Sequence, residues 1–406
     1  MTKAVVLGGC GGIGRIAAQA LASGEWFDEI DIADVRKTDA EALADQIDRS
    51  GLRGVAVDAT SPDSLAAVLI GADVAVSCIG PFYRFGAPVL EACIRAGVNF
   101  VDVCDDLDAT QRQLALDGTA REAGVVALIG MGNSPGLANV LVRYAADELL
   151  EETTSVDIMH IHGGEPDEGP AVVKHRIHAM VNDVPLFIDG EFLEVRLLDP
   201  SGGAFVEETD FRDVGRYPVY PYPHPETITL PQHLPGLRRA TNRGVVYPLT
   251  YFEHTMETVR RGLEANPGVA VADLPVDDWV ARILAERSRL LAEADVSEPG
   301  GCLKIVVSGT RGGEEHTYVF SLSSTGGAGA GEGTGIPAAL GAILIERGTI
   351  DRPGVHPPEA VVDPLTMLAL AGDVIGHFGI EHSGGGTLPI HIAHHGPDGT
   401  VEELAL

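Results

Sequence analysis

Basic residues are scarce in this chain. Against 59 acids stand 28 lysines and arginines, a formal net charge of −31, and the lysines are only Lys3, Lys37, Lys174 and Lys304. A field of that sign repels nucleic acid and anionic bilayers, so neither is an expected partner. Paired cysteines are lacking too. Cys10, Cys78, Cys93, Cys104 and Cys302 form no Cys-x-x-Cys and no metal-ligand spacing. They read as reduced thiols, which points to a cytoplasmic location, and no metal is expected. No apolar run is long enough to span a membrane. Residues 125–142 are 18 positions without a charge, but Gly132-Asn133-Ser134-Pro135-Gly136 breaks them into a strand and a helix. The chain runs straight into an apolar strand, so no secretion signal is expected. What remains is a globular composition, 45% hydrophobic and 21% charged over 406 residues, enough for two or three domains with large cores.

The stretch that organises the rest is Lys3 to Arg15, KAVVLGGCGGIGR. Residues 4–7 read as a buried strand and residues 15–22 as a helix. Between them Gly9-Cys10-Gly11-Gly12-Ile13-Gly14 is a G-x-G-x-x-G in the strand–turn–helix context that dinucleotide binding requires. Gly9 allows the tight turn, Gly11 lets backbone approach a pyrophosphate, and Gly14 lets helix and strand pack closely. The N-terminus of the helix offers free N–H groups and a partial positive charge to that pyrophosphate, and Gly12 and Ile13 are counted with the cofactor-binding loop. Residues 29–35 form a second apolar strand. Asp34 near its end lies 34 − 14 = 20 positions beyond Gly14, where a ribose-binding carboxylate belongs. That carboxylate favours NAD over NADP. Arg36 and Lys37 pull the other way, because either could pair with a 2′-phosphate.

Strands alternate with helices onward. Helices are expected at 38–49, 62–70, 88–96 and 107–122, and strands at 54–57, 73–79, 99–103 and 125–129. Ser134 reads as the N-cap and Pro135 as the first residue of a further helix. The pattern predicts an α/β fold with a doubly wound, Rossmann-type parallel sheet. Ligands of such sheets sit beyond the carboxyl ends of the strands. That gathers Gly9–Gly14, Asp34, Asp58, Cys78, Gly80, Pro81, Phe82, Asp105 and residues 132–135 around one crevice. From residue 155 the pattern changes to half-exposed strands at 156–162, 187–193 and 203–207, a proline-rich segment at 217–225, an amphipathic helix at 276–293 and a hairpin around Gly312-Gly313. Residues 326–335 read as a flexible crossing and 336–347 as an apolar helix that returns to the first domain. The tail from 379 is rich in glycine and histidine, with a short strand at 388–392.

By these residues the chain resembles the saccharopine dehydrogenase-like oxidoreductases. The resemblance is carried by GGCGGIG, SCIGPFYRFG at 77–86, VNFVDVCDD at 98–106, GNSPGLANVL at 132–141, and TGIPAALGAILIERG followed by GVHPPE within 334–359. Within that family it looks closer to the lysine 6-dehydrogenase and carboxynorspermidine dehydrogenase types. The resemblance implies a Rossmann NAD(P) domain (1–135), an inserted α+β substrate and dimerisation domain (136–325), a return to the Rossmann domain (326–378) and a tail (379–406). It also implies a homodimer and hydride transfer at a carbon–nitrogen bond of a small amino-acid-like molecule.

An iminium intermediate is cationic and wants a carboxylate nearby. Asp102 and Asp105 lie at or just past the fifth strand, and Asp105, in the loop, is freer to reach the crevice. Both are candidate catalytic groups, with capping of the next helix as the alternative for these acids. Cys78 and Cys104 read as buried small residues. His160 and His162 alternate on a strand and could face a site, while such histidines more commonly sit in surfaces or satisfied cores. The same holds for His224, His233 and His254. His394-His395 lacks the carboxylate or cysteine support of a metal site. Two other functions compete: a trans-acting enoyl reductase on an acyl thioester, favoured by an apolar lining at 217–234, and a non-catalytic NAD(P) sensor.

Overall fold

The computed structural model describes residues 1–165, 168–324, 330–378 and 388–405. They fall into two compact units, Met1–Tyr144 with Gly331–His382, and Ala145–Ala330 with Ser383–Leu406. The chain opens with β1 (Lys3–Leu7), α1 (Gly12–Ala22), β2 (Glu29–Asp34), α2 (Lys37–Ile47), β3 (Leu52–Ala56), α3 (Pro62–Val68), β4 (Val74–Ser77), α4 (Phe82–Ala96), β5 (Asn99–Asp102), α5 (Leu107–Leu114), α6 (Asp117–Ala123), β6 (Val126–Leu128) and α7 (Leu137–Tyr144). The second unit continues with β7 (Glu152–Gly163), α8 (Pro170–Val181), β8 (Val184–Ile188), β9 (Glu191–Val195), the single turn α9 (Pro200–Gly203), β10 (Glu207–Phe211), β11 (Gly215–Pro221), α10 (Glu226–His233), β12 (Arg239–Tyr247), α11 (Leu249–Ala265), α12 (Val276–Glu293), β13 (Gly300–Arg311) and β14 (Glu314–Ser324). The chain then returns through α13 (Ala330–Glu346), β15 (Gly354–His356), α14 (Pro358–Val361) and α15 (Pro364–Ile375), and ends in β16 (His391–His395) and β17 (Val401–Leu404).

The first unit's sheet is ordered β15-β6-β5-β4-β1-β2-β3, with every pairing parallel. Its central strand is apolar because helices cover both faces: Ala4, Val5, Val6 and Leu7 of β1 are fully buried. The order reverses between β1 and β4, which makes their carboxyl ends the topological switch point. Two helices depart from expectation. α4 starts at Phe82, not 88, with Pro88 exposed inside its second turn. The expected helix 107–122 is two, α5 and α6, because Leu114 and Leu116 both turn inward onto the same core.

The second unit is one mixed sheet, β10-β11-β12-β7-β13-β14-β16-β17, with the β8–β9 hairpin branching from β12. β7 and β12 pair in parallel and every other pairing is antiparallel. One face packs α8, α11 and α12 through a core that includes Ile161, Ile177, Phe252, Trp279 and Ile283. The expected strand 187–193 is instead the bend of the β8–β9 hairpin. Asp189 and Gly190 both take positive φ (54° and 86°), as a two-residue hairpin turn demands. The expected strand 203–207 gives way to β10, which starts at Glu207.

Both domain boundaries move. α7 stays with the first unit, so that unit runs to Tyr144 rather than 135. The tail is not an appendage from 388 onward: β16 pairs with β14, placing Phe320 opposite Ile392, so it extends the second sheet. Residues 379–387 and 325–329 lie outside the described residues. The crossing expected at 326–335 is helical from 330, as the start of α13.

Candidate functional site

The glycine loop is tied down by its own backbone. Gly8 and Gly9 N–H groups both donate to Ala33 O (2.8 and 3.1 Å), and Gly11 N–H donates to Gly8 O (3.1 Å). The left-handed residue of the turn is Gly8, φ 77°, not Gly9. The glycines divide by what a Cβ would meet. On Gly9 it would lie 2.5 Å from Ile32 Cγ2, and on Gly14 2.2 Å from Gly8 O. Those two glycines serve packing. On Gly11 it would meet only Gly8 O at 3.4 Å, and on Gly12 nothing within 4 Å. Those two keep space open over the start of α1. Gly11 is the N-cap, no side chain caps the helix, and its first turn holds no acid. The first-turn N–H groups therefore have no intrahelical partner, and the helix's own first turn brings no acid to compete for them. A pyrophosphate fits that open, donor-lined cradle. The returning helix packs against the same turn: a Cβ on Gly331 would lie 3.3 Å from Gly12 O, and one on Gly335 2.7 Å from Ile13 O. These glycines, read from sequence as slack, permit close helix packing.

Asp34 closes the loop from β2. It is 6% exposed; Oδ2 accepts from Cys10 N–H (3.1 Å) and Oδ1 from the backbone and side chain of Arg36 (3.1 and 3.4 Å). Arg36 itself is exposed. Asp58 stands at the end of β3, exposed, with Oδ1 accepting from Thr60 N–H and Oγ1. These bonds hold its carboxyl below the usual range and shape a turn. Cys78 leaves β4 with its N–H on Leu7 O, and its carbonyl lies against Gly8. Burial, with Asp102 behind it, pushes its thiol up to about 12, so it stays protonated. Gly80 is exposed, Pro81 caps α4, and Phe82 is buried as that helix's first residue.

The acids after β5 separate into different jobs. Asp102 is fully buried. Its Oδ1 accepts from Gly130 N–H (2.8 Å) and Cys104 N–H (3.1 Å), and its Oδ2 from Gln113 Nε2 (2.5 Å). It braces the loops after β5 and β6 from inside. Asp106, 4% exposed, accepts Tyr83 N–H (2.8 Å). Asp105 between them is half-buried in the loop. Cys104 is buried against Thr110, with its thiol pushed up by burial and by Asp102. The loop after β6 also differs from expectation. α7 begins at Leu137, and the group that satisfies the chain entering it is the Asn139 side chain, which accepts Gly136 N–H (2.8 Å) and donates to Glu359 Oε2 (2.8 Å). Ser134 lies three positions before the first residue of α7.

Asp102 makes stability depend on pH. Burial raises its carboxyl from 3.8 to about 6, against the opposing pull of Gly130, Gln113 and Cys104. The folded state then holds the proton more tightly than the unfolded one. The contribution is full below the unfolded value and is lost as pH rises through about 6. Asp102→Asn should flatten that slope while folding normally. Its Oδ1 can keep both backbone donors, and Gln113, whose Oε1 has no partner among the described residues, can flip to accept the new amide. Denaturation midpoints measured on either side of the transition check this; an unchanged slope in Asp102→Asn counts against it.

Residues 4–128 match the model of the saccharopine dehydrogenase NADP binding domain. In that domain and in the relatives that follow, the chain is similar to the saccharopine dehydrogenase-like oxidoreductases. Carboxyaminopropylagmatine dehydrogenase of Synechocystis sp. is 24% identical over 395 residues, covering 92% of this chain and 96% of that one. Carboxynorspermidine synthase of Vibrio cholerae is 22% identical over 408 residues, covering 90% and 95%. In fold, apo saccharopine dehydrogenase (L-Glu forming) from Saccharomyces cerevisiae superposes with a TM-score of 0.64 at 16% identity, over 93% of this chain and 97% of the yeast one. Among the described residues no helix is long and apolar enough to cross a membrane.

Proposed function

We propose that the protein interconverts an amine and an imine in a small amino-acid-like substrate, using NAD(P). The observation that carries the cofactor half is the cradle over Gly11 and Gly12, open to a ligand and lined by free helix N–H groups. The carbon–nitrogen half is supported by the full-length relatives, both named for carboxylated amines. When bound, the nicotinamide accepts or donates the hydride. The chain's part is to hold the pyrophosphate at Gly11–Gly14, place the ribose beside Asp34, and stabilise the cationic iminium with Asp105. An acyl thioester would want an apolar lining at 217–234. That segment buries Val219, Tyr222, Leu230 and Leu234 but also His224, Glu226, Thr227 and Thr229, so it offers no uniformly apolar lining. The protein works as a homodimer in a cytoplasm, where its five thiols stay reduced. Oxidation of NADH and NADPH, followed spectrophotometrically against imine, enoyl and no added substrate, tests the reading. Turnover with enoyl thioesters alone, or cofactor binding without turnover, would replace it.

Cofactor choice turns on the Asp34–Arg36 pair. The carboxylate favours ribose hydroxyls and repels a 2′-phosphate, so NAD is the proposed cofactor. Asp34→Ser should shift preference toward NADP on the order of tenfold, one partly screened charge contact. Arg36, freed from Asp34, would meet the phosphate, and Arg36→Ala should weaken NADPH more than NADH. Ratios of kcat/KM for the two cofactors give the answer. A wild type that already prefers NADPH strongly would make Arg36 the dominant group.

A further inference from the structure

β16 runs between β14 and β17, so its residues have neighbours on both sides. His394 stands opposite Tyr318 of β14 and opposite Glu402 of β17. His316 comes two positions before Tyr318 on β14 and shares its face of the sheet. The residue opposite His316 on β13 is Gly309, which puts no side chain against the ring. His394 lies flat on the Tyr318 ring, with centroids 4.6 Å apart and planes within 13°.

His316 meets His394 in another way. Its Nδ1 is 2.9 Å from His394 Nε2, while the ring centroids are 5.1 Å apart and the planes again within 13°. Rings so nearly parallel, and so much closer at one pair of nitrogens than at their centres, meet edge to edge through a hydrogen bond. Such a bond needs one N–H and one bare lone pair. Two neutral imidazoles supply them, and so does a pair carrying one extra proton. A pair carrying two sets N–H against N–H and cation against cation, and the bond is gone. The other nitrogen of His394, Nδ1, is 4.0 Å from Glu402 Oε2.

We propose that the His316–His394 bond is an acid-sensitive latch that holds the β16–β17 hairpin on the edge of the second sheet. The other contacts of the hairpin do not titrate over the same range. β14 and β16 pair through five register positions, with Ile392 buried opposite Phe320. Arg212 reaches Glu403 across 3.3 Å at the surface, and both stay charged throughout. Around His394 stand His316 and the Tyr318 phenol from β14, Arg311 from β13, His395 from β16 itself and Glu402 from β17. Burial first, then His316, lower the His394 imidazole from its ordinary value; Arg311 and His395 add to this, and Glu402 opposes it. In a released hairpin both rings are in water and titrate as ordinary histidines. The open form therefore takes up protons that the docked form refuses. The latch contributes in full above the ordinary histidine range and is lost progressively as pH falls below it. Each proton taken up only by the open form moves the balance on the order of tenfold per pH unit. What acid uncovers is β14, which without β16 becomes a sheet edge with unpaired N–H and C=O groups.

Segment-resolved amide hydrogen exchange on the full chain tests this, corrected for the pH dependence of free-amide exchange. The span runs from about pH 7.5 to about pH 5.5, across the histidine range. In the wild type, protection of β16 and β17 should fall roughly tenfold or more, while β7 and β13 in the middle of the same sheet keep theirs. His316→Gln and His394→Gln should each flatten that response, whatever they do to protection at neutral pH, and the double variant should abolish it. His391→Gln, on the same strand but the opposite face, should respond as the wild type does. Unchanged protection of β16 and β17 in acid overturns the latch. So does a fall that both glutamine variants still show in full, since other groups then cause it. A fall that β7 and β13 share is unfolding of the whole unit and overturns it too. Should the variants not fold, the wild type decides alone: loss confined to β16 and β17 upholds the latch, and shared loss or none sinks it.

Discussion

Gly11→Val is expected to bind neither NADH nor NADPH while melting as the wild type does. Gly11 has φ −69° and ψ 165°, an extended conformation that valine adopts without strain. The nearest protein atom to a Cβ there is Gly8 O at 3.4 Å, ordinary contact. Nothing in the folded chain resists the substitution. The isopropyl group would instead occupy the space above the first turn of α1, where the pyrophosphate must come close to backbone N–H groups. Losing that approach should weaken binding by roughly 100-fold or more, about 3 kcal/mol. Gly14→Ala makes the contrast. Its Cβ would sit 2.2 Å from Gly8 O and 2.9 Å from Gly9 Cα, both backbone, so the loop must shift. That overpacking should cost about 1–3 kcal/mol of stability along with the affinity. Calorimetric titration and thermal melting of the two variants separate the roles. Unchanged NAD(P)H affinity in Gly11→Val would remove the dinucleotide assignment, whatever Gly14→Ala does.

Whether a residue's placement could be read from sequence depended on how local its determinants are. The β1–loop–α1 turn is set by six consecutive residues, and Asp34 reaches it at a fixed spacing, so the chain text alone brings Gly9, Gly14, Asp34 and Arg36 together as the structure does. Alternating apolar strands and helices likewise carry the sheet's parallel order, since a crossover helix permits little else. Asp102 was illegible because its environment comes from elsewhere. Gly130 and Gln113 lie 28 and 11 positions away, and only the fold turns all three inward. The role of Asn139 was illegible for the same reason, since Glu359, its partner, lies 220 positions on. The glycines at 331 and 335 misled in another way. Composition reads them as slack, while their real constraint is the backbone of α1 a few ångströms off. The Asp189-Gly190 turn, by contrast, was written in the sequence as an Asp-Gly between apolar runs, and reading through it as one strand missed a local signal. Tyr222 to Glu226 was legible only as proline-rich chain. That it delivers two rings to His160 depends on β12 pairing with β7, which no local pattern announces.

Asp105→Asn is expected to lower turnover on the order of 10²-fold with little change in cofactor affinity. Three acids stand at the end of β5 and in the loop after it, and two of them, Asp102 and Asp106, are buried. Asp102 is committed to three donors inside the first unit, and Asp106 to the Tyr83 N–H. Asp105 is the one in the loop that is not buried. It lies beyond the carboxyl end of β5, on the side of the sheet where a doubly wound fold presents its ligand. An iminium there gains from a fixed carboxylate more than it would in water, because a water-poor site screens the charge less and needs no reorganisation. Removing one such preorganised group typically costs about 10²–10³ in kcat, and Asp105's partial exposure places it at the lower end. Asn keeps the size and shape and removes only the charge, so packing is not what the variant tests. A fall in kcat with KM for NAD(P) unchanged assigns the charge to the reacting centre. Wild-type turnover in Asp105→Asn would leave this acid with only a local role in its loop, ahead of α5, and the counter-charge to the iminium would have to come from another group.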